Sequence, residues 1–139
     1  MPCLSGKFSP AEGIILNLAC LLPGTWTPET NLTPKYFAAL LDTGASHTCI
    51  SSRVARDVGI APTSMQQMAS ATHESVPVNT YLIDLGVVFG GAIWWEFTNL
   101  QVLEFQPGGS SPYEMLIGRD VICQGALTIS FDGHYTFSI

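Results

Sequence analysis

Asp42 is the residue whose type and setting point most directly to chemistry. It follows an apolar run over residues 36–41 that is typical of a β-strand, and small residues occupy positions 43–46 after it. Aspartate is disfavoured inside strands and an unpaired buried charge is costly, so the carboxylate is expected at the end of the strand. Gly44 has no side chain, which allows another chain or a substrate backbone to approach the carboxylate closely.

A carboxylate in this setting suits a reaction in which two carboxylates share one proton. One takes a proton from water while the other donates to a carbonyl oxygen, and their mutual repulsion separates their acidities. A single exposed aspartate, with a reference pKa of about 3.9, is a poor base at neutral pH. The chemistry therefore requires a second carboxylate. The alternative interpretation of Asp42 is a turn residue that makes only a local side-chain hydrogen bond.

The cysteines and histidines suggest weaker alternatives. His47 and Cys49 alternate along the chain and would share one face of a strand, but nothing nearby would form an oxyanion hole or orient a base. The four cysteines lie far apart without CxxC spacing, so neither a zinc site nor any other metal or cofactor is predicted. Cys20, Cys49 and Cys123 lie in apolar runs and are predicted to be buried thiols.

Composition limits the classes of partner. The 139 residues fit one domain, and charged residues make up only 12%, so we expect part of the surface to be covered in an oligomer. A net charge of −6 argues against nucleic acid or an anionic membrane as a partner. The apolar run over residues 14–22 is too short to span a membrane, and no signal peptide is recognised, so a cytoplasmic location is expected.

The rest of the chain is predicted to be mainly β with one or two short helices. Ser51 or Ser52 would cap a helix that ends at Gly59. Asp132-Gly133, between two alternating apolar runs, is a strong hairpin signal. The predicted strands cover residues 13–22, 36–41, 47–50, 65–70, 76–85, 93–105, 127–131 and 134–139, and a second short helix follows residues 115–120.

Two motifs together give the chain a resemblance to the retropepsin-like aspartic proteases, the single-domain enzymes of retroviruses and their bacterial and Ddi-type relatives. Residues 41–46, Leu-Asp-Thr-Gly-Ala-Ser, resemble the active-site loop of that family. Residues 116–120, Leu-Ile-Gly-Arg-Asp, resemble its late hydrophobic-hydrophobic-Gly element. The resemblance covers residues 13–139 and implies a closed, barrel-like acid protease fold with a flap hairpin. Residues 1–12 are predicted to be a loose N-terminal arm.

The resemblance also indicates where the second carboxylate would come from. A two-lobed enzyme of the pepsin type would need a second Asp-Thr/Ser-Gly and more than twice this length. The other aspartates, Asp57, Asp84, Asp120 and Asp132, lack the right sequence context. The family therefore implies a homodimer in which each chain supplies one Asp42, with the apolar C-terminal segment 127–139 as the candidate interface.

The roles implied by the resemblance fall into three groups. The catalytic group is Asp42, Thr43 and Gly44. The substrate-binding group is Ala45 and Ser46 together with the flap tip Ala71, Thr72, His73 and Glu74. The group that supports the active-site loop is Leu116, Ile117, Gly118 and Arg119. In retroviral members the arginine after the glycine pairs with an aspartate near where Ser46 and His47 stand here, so Arg119 must find another partner.

The function implied is an aspartic endopeptidase that cleaves extended peptide segments as a homodimer, with water activated by the two Asp42 carboxylates. The main alternative is a catalytically weak dimer of the same fold that serves as a peptide-binding or assembly module. A purely structural β-domain is a third possibility. The intact Asp42-Thr43-Gly44 favours the enzyme, because a binding module has no need for a costly pair of charges.

Overall fold

The chain folds mainly into β-strands. The computed structural model describes residues 3–24, 35–70, 73–89 and 93–139, which form ten strands and two short helices. The strands are β1 (Cys3–Lys7), β2 (Ile15–Leu21), β3 (Lys35–Leu41), β4 (Cys49–Ser51), β5 (Ser64–Ser70), β6 (His73–Phe89), β7 (Ile93–Phe105), β8 (Met115–Ile117), β9 (Ala126–Ile129) and β10 (His134–Ser138). The helices are α1 (Ser52–Val58) and α2 (Arg119–Ile122).

Six strands close into a barrel. Their order is β2-β3-β8-β4-β7-β6, and a further antiparallel pairing between β2 and β6 completes the ring. β8 is central to the site because it pairs in parallel with β3 on one side and antiparallel with β4 on the other. The predicted closed, mainly β architecture is confirmed.

Apolar side chains fill the interior of this barrel. Leu18, Ile83, Leu85 and Ile117 are at most 1% exposed and belong to one continuous core. β2 is buried along most of its length, as expected of a strand that is apolar on both faces. The core therefore fixes the ends of β3 and β8, where the candidate chemistry lies.

The first helix forms as the sequence predicts. The Ser51 hydroxyl accepts a hydrogen bond from the Val54 amide at 3.3 Å, and Gly59 ends the helix with φ of 84°. Only glycine adopts this left-handed conformation at little cost. No helix in the described ranges has both the length and the apolar character needed to cross a membrane.

A second, three-stranded sheet joins the two ends of the chain in the order β1-β10-β9. The prediction of a loose arm is therefore wrong for Cys3–Lys7, which pair with β10. Such long-range pairing leaves no local sequence signal. The predicted C-terminal hairpin is present. Its connection is longer than the two residues of an Asp-Gly turn, and the Ser130 amide donates across it to the carbonyl oxygen of His134.

The burial of the cysteines differs from the prediction at one position. Cys20 and Cys49 are buried, as expected, but Cys123 is exposed. It follows the last residue of α2 and serves as the C-cap of that helix, so its side chain leaves the core. The prediction of a third buried thiol is wrong.

Candidate active site

Asp42 lies immediately beyond the C-terminal end of β3, at the rim of the barrel. Its amide donates to the carbonyl oxygen of Ile117 at 2.9 Å, and the preceding Leu41 amide donates to Ile14 at 2.9 Å. The parallel register places Leu40 beside Leu116 and Leu41 beside Ile117. The main chain at Asp42 is thus held from both sides by buried strands, while its side chain is only half-buried.

The turn after Asp42 folds back on the carboxylate. The Gly44 amide donates to Asp42 Oδ1 at 2.9 Å, and the Ala45 amide donates to the Asp42 carbonyl oxygen at 3.2 Å. The first contact is the local bond that a simple turn aspartate would also make. Thr43 and Gly44 are exposed, so one edge of the carboxylate stays open to a partner or a substrate.

Gly118 allows the late motif to pack directly against this loop. A Cβ atom at this position would lie 2.6 Å from the carbonyl carbon of His47 and 3.0 Å from the carbonyl oxygen of Ala45. Both are backbone atoms and cannot swing away, so any larger residue would displace the loop. The next amide, that of Arg119, donates to the carbonyl oxygen of Ala45 at 2.8 Å.

Arg119 finds its partner on the main chain of the active-site loop. Its Nη1 donates to the carbonyl oxygen of Thr43 at 2.9 Å. The Thr43 carbonyl oxygen is thus the other partner that Arg119 was predicted to need, since no aspartate stands at Ser46 or His47. Arg119 therefore holds the exposed side of the turn.

Asp120 was not among the predicted site residues, yet it anchors the far end of the loop. Its carboxylate accepts hydrogen bonds from the Thr48 amide at 2.9 Å and from the Thr48 hydroxyl at 2.7 Å. Thr48 is 0% exposed, and its hydroxyl also accepts from the Gly118 amide at 3.2 Å. The sequence offered one signal, an acid in the first turn of a short helix beside the Gly-Arg pair.

The thiol and imidazole near Asp42 do not form a catalytic pair. Cys49 Sγ contacts the carbonyl oxygen of His47 at 3.6 Å, whereas His47 Nδ1 lies 3.0 Å from the Ser46 hydroxyl. Burial, and then the charges of Asp120 and Asp42, raise the pKa of the Cys49 thiol to about 11. This cysteine is therefore an uncharged thiol near neutral pH and a poor nucleophile.

A pocket of about 440 Å³ opens beside the Asp42 carboxylate, between the active-site loop and strand β5. Ala45 and Ser46, two of the predicted substrate-binding residues, line it. Of the predicted flap tip, Ala71 and Thr72 lie outside the described residues. The side chains of His73 and Glu74 lie outside them too, so the role of the tip stays a prediction.

Three other aspartates of the described chain are engaged elsewhere. Asp84 is 2% exposed and accepts two backbone amides at 2.9 Å each. Asp57 lies in an exposed pair with Arg53 at 3.8 Å, and Asp132 bonds within the β9–β10 connection. With Asp120 bound to Thr48, Asp42 is the described aspartate that faces an open pocket.

A closed six-stranded barrel with an Asp-Thr-Gly turn packed on a Leu-Ile-Gly segment defines the class of retropepsin-like aspartic proteases. The sequence profile of the aspartyl protease family matches residues 33–121, and this chain belongs to that family. The match contains both the Asp42 turn and the Leu116–Asp120 segment.

A solved structure shares this fold. A retropepsin-like aspartic protease from Rickettsia conorii matches with a TM-score of 0.62 and 13% identity, covering 96% of this chain and 88% of that one. The retroviral protease-like domain of Ddi1 from Leishmania major matches with a TM-score of 0.45 and 14% identity, covering 85% and 82%. No curated protein matches the sequence.

Proposed function

We propose that this chain is an aspartic endopeptidase that works as a homodimer and cleaves extended peptide segments. The observation that carries the proposal is the position of Asp42. Its backbone is fixed by the barrel through Ile117, its carboxylate is oriented by the Gly44 amide, and one edge faces a pocket large enough for a side chain. Membership of the aspartyl protease family supports the same reaction class.

The dimer follows from the chemistry of proton sharing. Hydrolysis by this route needs one carboxylate to accept a proton from water and another to donate to the peptide carbonyl. The described aspartates other than Asp42 are held in hydrogen bonds or ion pairs away from the pocket. A second copy of Asp42 across a two-fold axis supplies the missing group.

Each residue of the turn then has a part in the reaction. The two Asp42 carboxylates hold the attacking water. Gly44, which is exposed and lacks a side chain, leaves room for the substrate backbone. Thr43, which is exposed, contacts the second chain in this proposal. β5 lines the pocket opposite the active-site loop. The hairpin that it forms with β6 serves as the flap and excludes water from the bound peptide.

The decisive experiment replaces Asp42 by asparagine. Asp42→Asn keeps the shape of the side chain but removes the base and the shared proton, so cleavage of a peptide library should fall to background. Asp57→Asn is the matched control, because Asp57 lies in an exposed ion pair on α1 and should leave cleavage unchanged.

The same preparation tests the dimer. Specific activity should fall on dilution, because half of the site belongs to each chain. Cleavage that survives in pure Asp42→Asn protein, or full activity of a monomer in sedimentation, would refute the proposal. Loss of cleavage with unchanged circular dichroism and unchanged dimer mass would support it.

A further inference from the structure

The two faces of the β5–β6 hairpin can be assigned from its register. Residues that pair directly in antiparallel strands share a face, and the faces alternate along each strand. Met68 pairs with Val76, so these two side chains lie on one face. Val78 lies two residues further along β6 and shares that face. Met65 lies three residues before Met68 on β5 and belongs to the opposite face.

The face that carries Met68 and Val78 is turned toward the candidate active site. Both side chains are partly buried and pack against a small cluster that includes Cys49 and Leu103. Cys49 and Leu103 are 6% and 5% exposed, and they line the pocket beside Asp42 together with Met68. We call this the inner face of the hairpin. Its apolar side chains continue the apolar floor of the pocket.

Val76 is the exposed end of the inner face. It is 47% exposed, whereas Val78, nearer the barrel, is partly buried. Side chains that pair directly have Cβ atoms about 4.5–5.5 Å apart, so Val76 lies next to Met68, which lines the pocket. A single exposed valine is ordinary on a protein surface. This one extends an apolar surface that begins in the pocket.

The polar side chains of the active-site loop lie across the pocket from the hairpin. Ser46 Oγ and His47 Nδ1 are 3.0 Å apart and hydrogen-bond to each other. The floor itself is uncharged, because burial is the main cause that raises the pKa of the Cys49 thiol to about 11. The side of the pocket formed by the hairpin and the floor therefore suits an apolar group.

We propose that Val76 is a specificity-determining residue, which covers an aliphatic side chain of the substrate in this pocket. The inference rests on the proposed peptidase function. When an aliphatic side chain lies against Met68 and Val76, the exposed surface of the valine is removed from water. A polar side chain in the same place loses its own hydrogen bonds to water instead. Leucine should therefore be preferred over asparagine, which has a similar shape.

The test compares peptides that differ only in leucine or asparagine at each position beside the scissile bond. Val76→Thr keeps the β-branched shape and replaces one methyl group by a hydroxyl group. At one position, the ratio of kcat/KM for leucine over asparagine should fall about fourfold in this variant, the effect of losing one buried methylene-sized group.

Met65→Gln is the matched control. Met65 is 61% exposed on the same hairpin, but it lies on the opposite face and outside the pocket lining. Glutamine has nearly the length of methionine, so this variant also makes an exposed apolar side chain polar. Its ratio of leucine to asparagine cleavage should stay as in the wild type.

A binding measurement makes the inference independent of turnover. In Asp42→Asn protein, the added Val76→Thr change should raise the Kd of a leucine peptide about fourfold and leave that of its asparagine partner unchanged. An equal loss for both peptides would show that Val76 acts only through the structure of the hairpin, and it would overturn the inference.

Two other outcomes would also overturn the role of Val76 and leave the peptidase intact. One is a leucine preference that Val76→Thr retains in full. The other is an unchanged preference with activity that falls at a higher chain concentration on dilution, which would place Val76 against the second chain. A wild-type protein that cleaves no peptide would refute the proposed peptidase instead, and the binding measurement would then decide the inference.

Discussion

Substitution of Thr48 tests how the active-site loop is held in place, because the Thr48 hydroxyl makes hydrogen bonds to two partners. The Thr48 hydroxyl donates to Asp120 at 2.7 Å and accepts from the Gly118 amide at 3.2 Å, and the residue is 0% exposed. Thr48→Val keeps the shape and removes both bonds. Thr48→Ser keeps both bonds and removes one buried methyl group.

The structure sets the expected order of the two variants. A hydrogen bond to a charged group contributes about 1.5–3 kcal/mol, and a buried amide left without an acceptor costs about 1–3 kcal/mol. The extra methyl group of valine returns about 0.8 kcal/mol. We expect Thr48→Val to lose about 2–5 kcal/mol of unfolding free energy, and Thr48→Ser only about 1 kcal/mol.

Urea unfolding at a fixed chain concentration measures this difference, since the stability of the proposed dimer would depend on concentration. With a slope of about 1–3 kcal/mol per molar, Thr48→Val should lower the midpoint by roughly 1 M or more. Apolar burial alone predicts the opposite order, with Thr48→Val as stable as the wild type and Thr48→Ser weaker. That order would refute the role assigned to the hydroxyl.

Three further predictions concern pH and packing. The pH-rate profile should be bell-shaped with an acidic optimum, as for a carboxylate pair that works singly protonated; a rise through about pH 8 without a maximum would point to a thiol instead. Burial, and then Asp84, raise the pKa of Glu96, so the stability that its protonated form contributes in acid is lost as pH rises through the folded pKa. Glu96→Gln should therefore raise the urea midpoint at neutral pH and not in acid, and an equal change in both buffers would contradict this. Gly118→Ala should lose about 1–3 kcal/mol of stability together with cleavage, because its Cβ would lie 2.7 Å from the His47 carbonyl oxygen. Gly108→Ala is the control, because the space around its Cβ is open. Equal stability of the two variants would disprove the packing argument.

Local signals carried most of the sequence prediction. Helix α1 follows from the Ser51 cap and Gly59, and the strand into Asp42 follows from an apolar run that ends at a charge. The family motifs predicted that the Leu116–Gly118 segment lies next to Asp42, and the parallel pairing of β3 with β8 agrees with this. Each of these features depends on residues that are close in sequence or on a recognisable motif.

Long-range pairing accounts for what the sequence did not reveal. β1 pairs with β10 across almost the whole chain, and no local pattern predicts such a partner. The bond between Asp120 and Thr48 spans 72 positions and joins two polar side chains whose types admit many partners. Cys123 lies in an apolar run, but its place after the last residue of α2 turns it outward, and burial depends on the packing of the helix.

β6 is part of both the β5–β6 hairpin and the barrel, and this predicts how amide hydrogen exchange varies along the strand. Up to and including Thr80 its ladder partner is β5, and from Thr80 onward it pairs with β7 and, near Leu85, also with β2. Opening the hairpin breaks only the first set of bonds and leaves the barrel closed. Protection from exchange should therefore rise within one continuous strand at Thr80, a residue that is 0% exposed, so that local unfolding stops where the barrel begins.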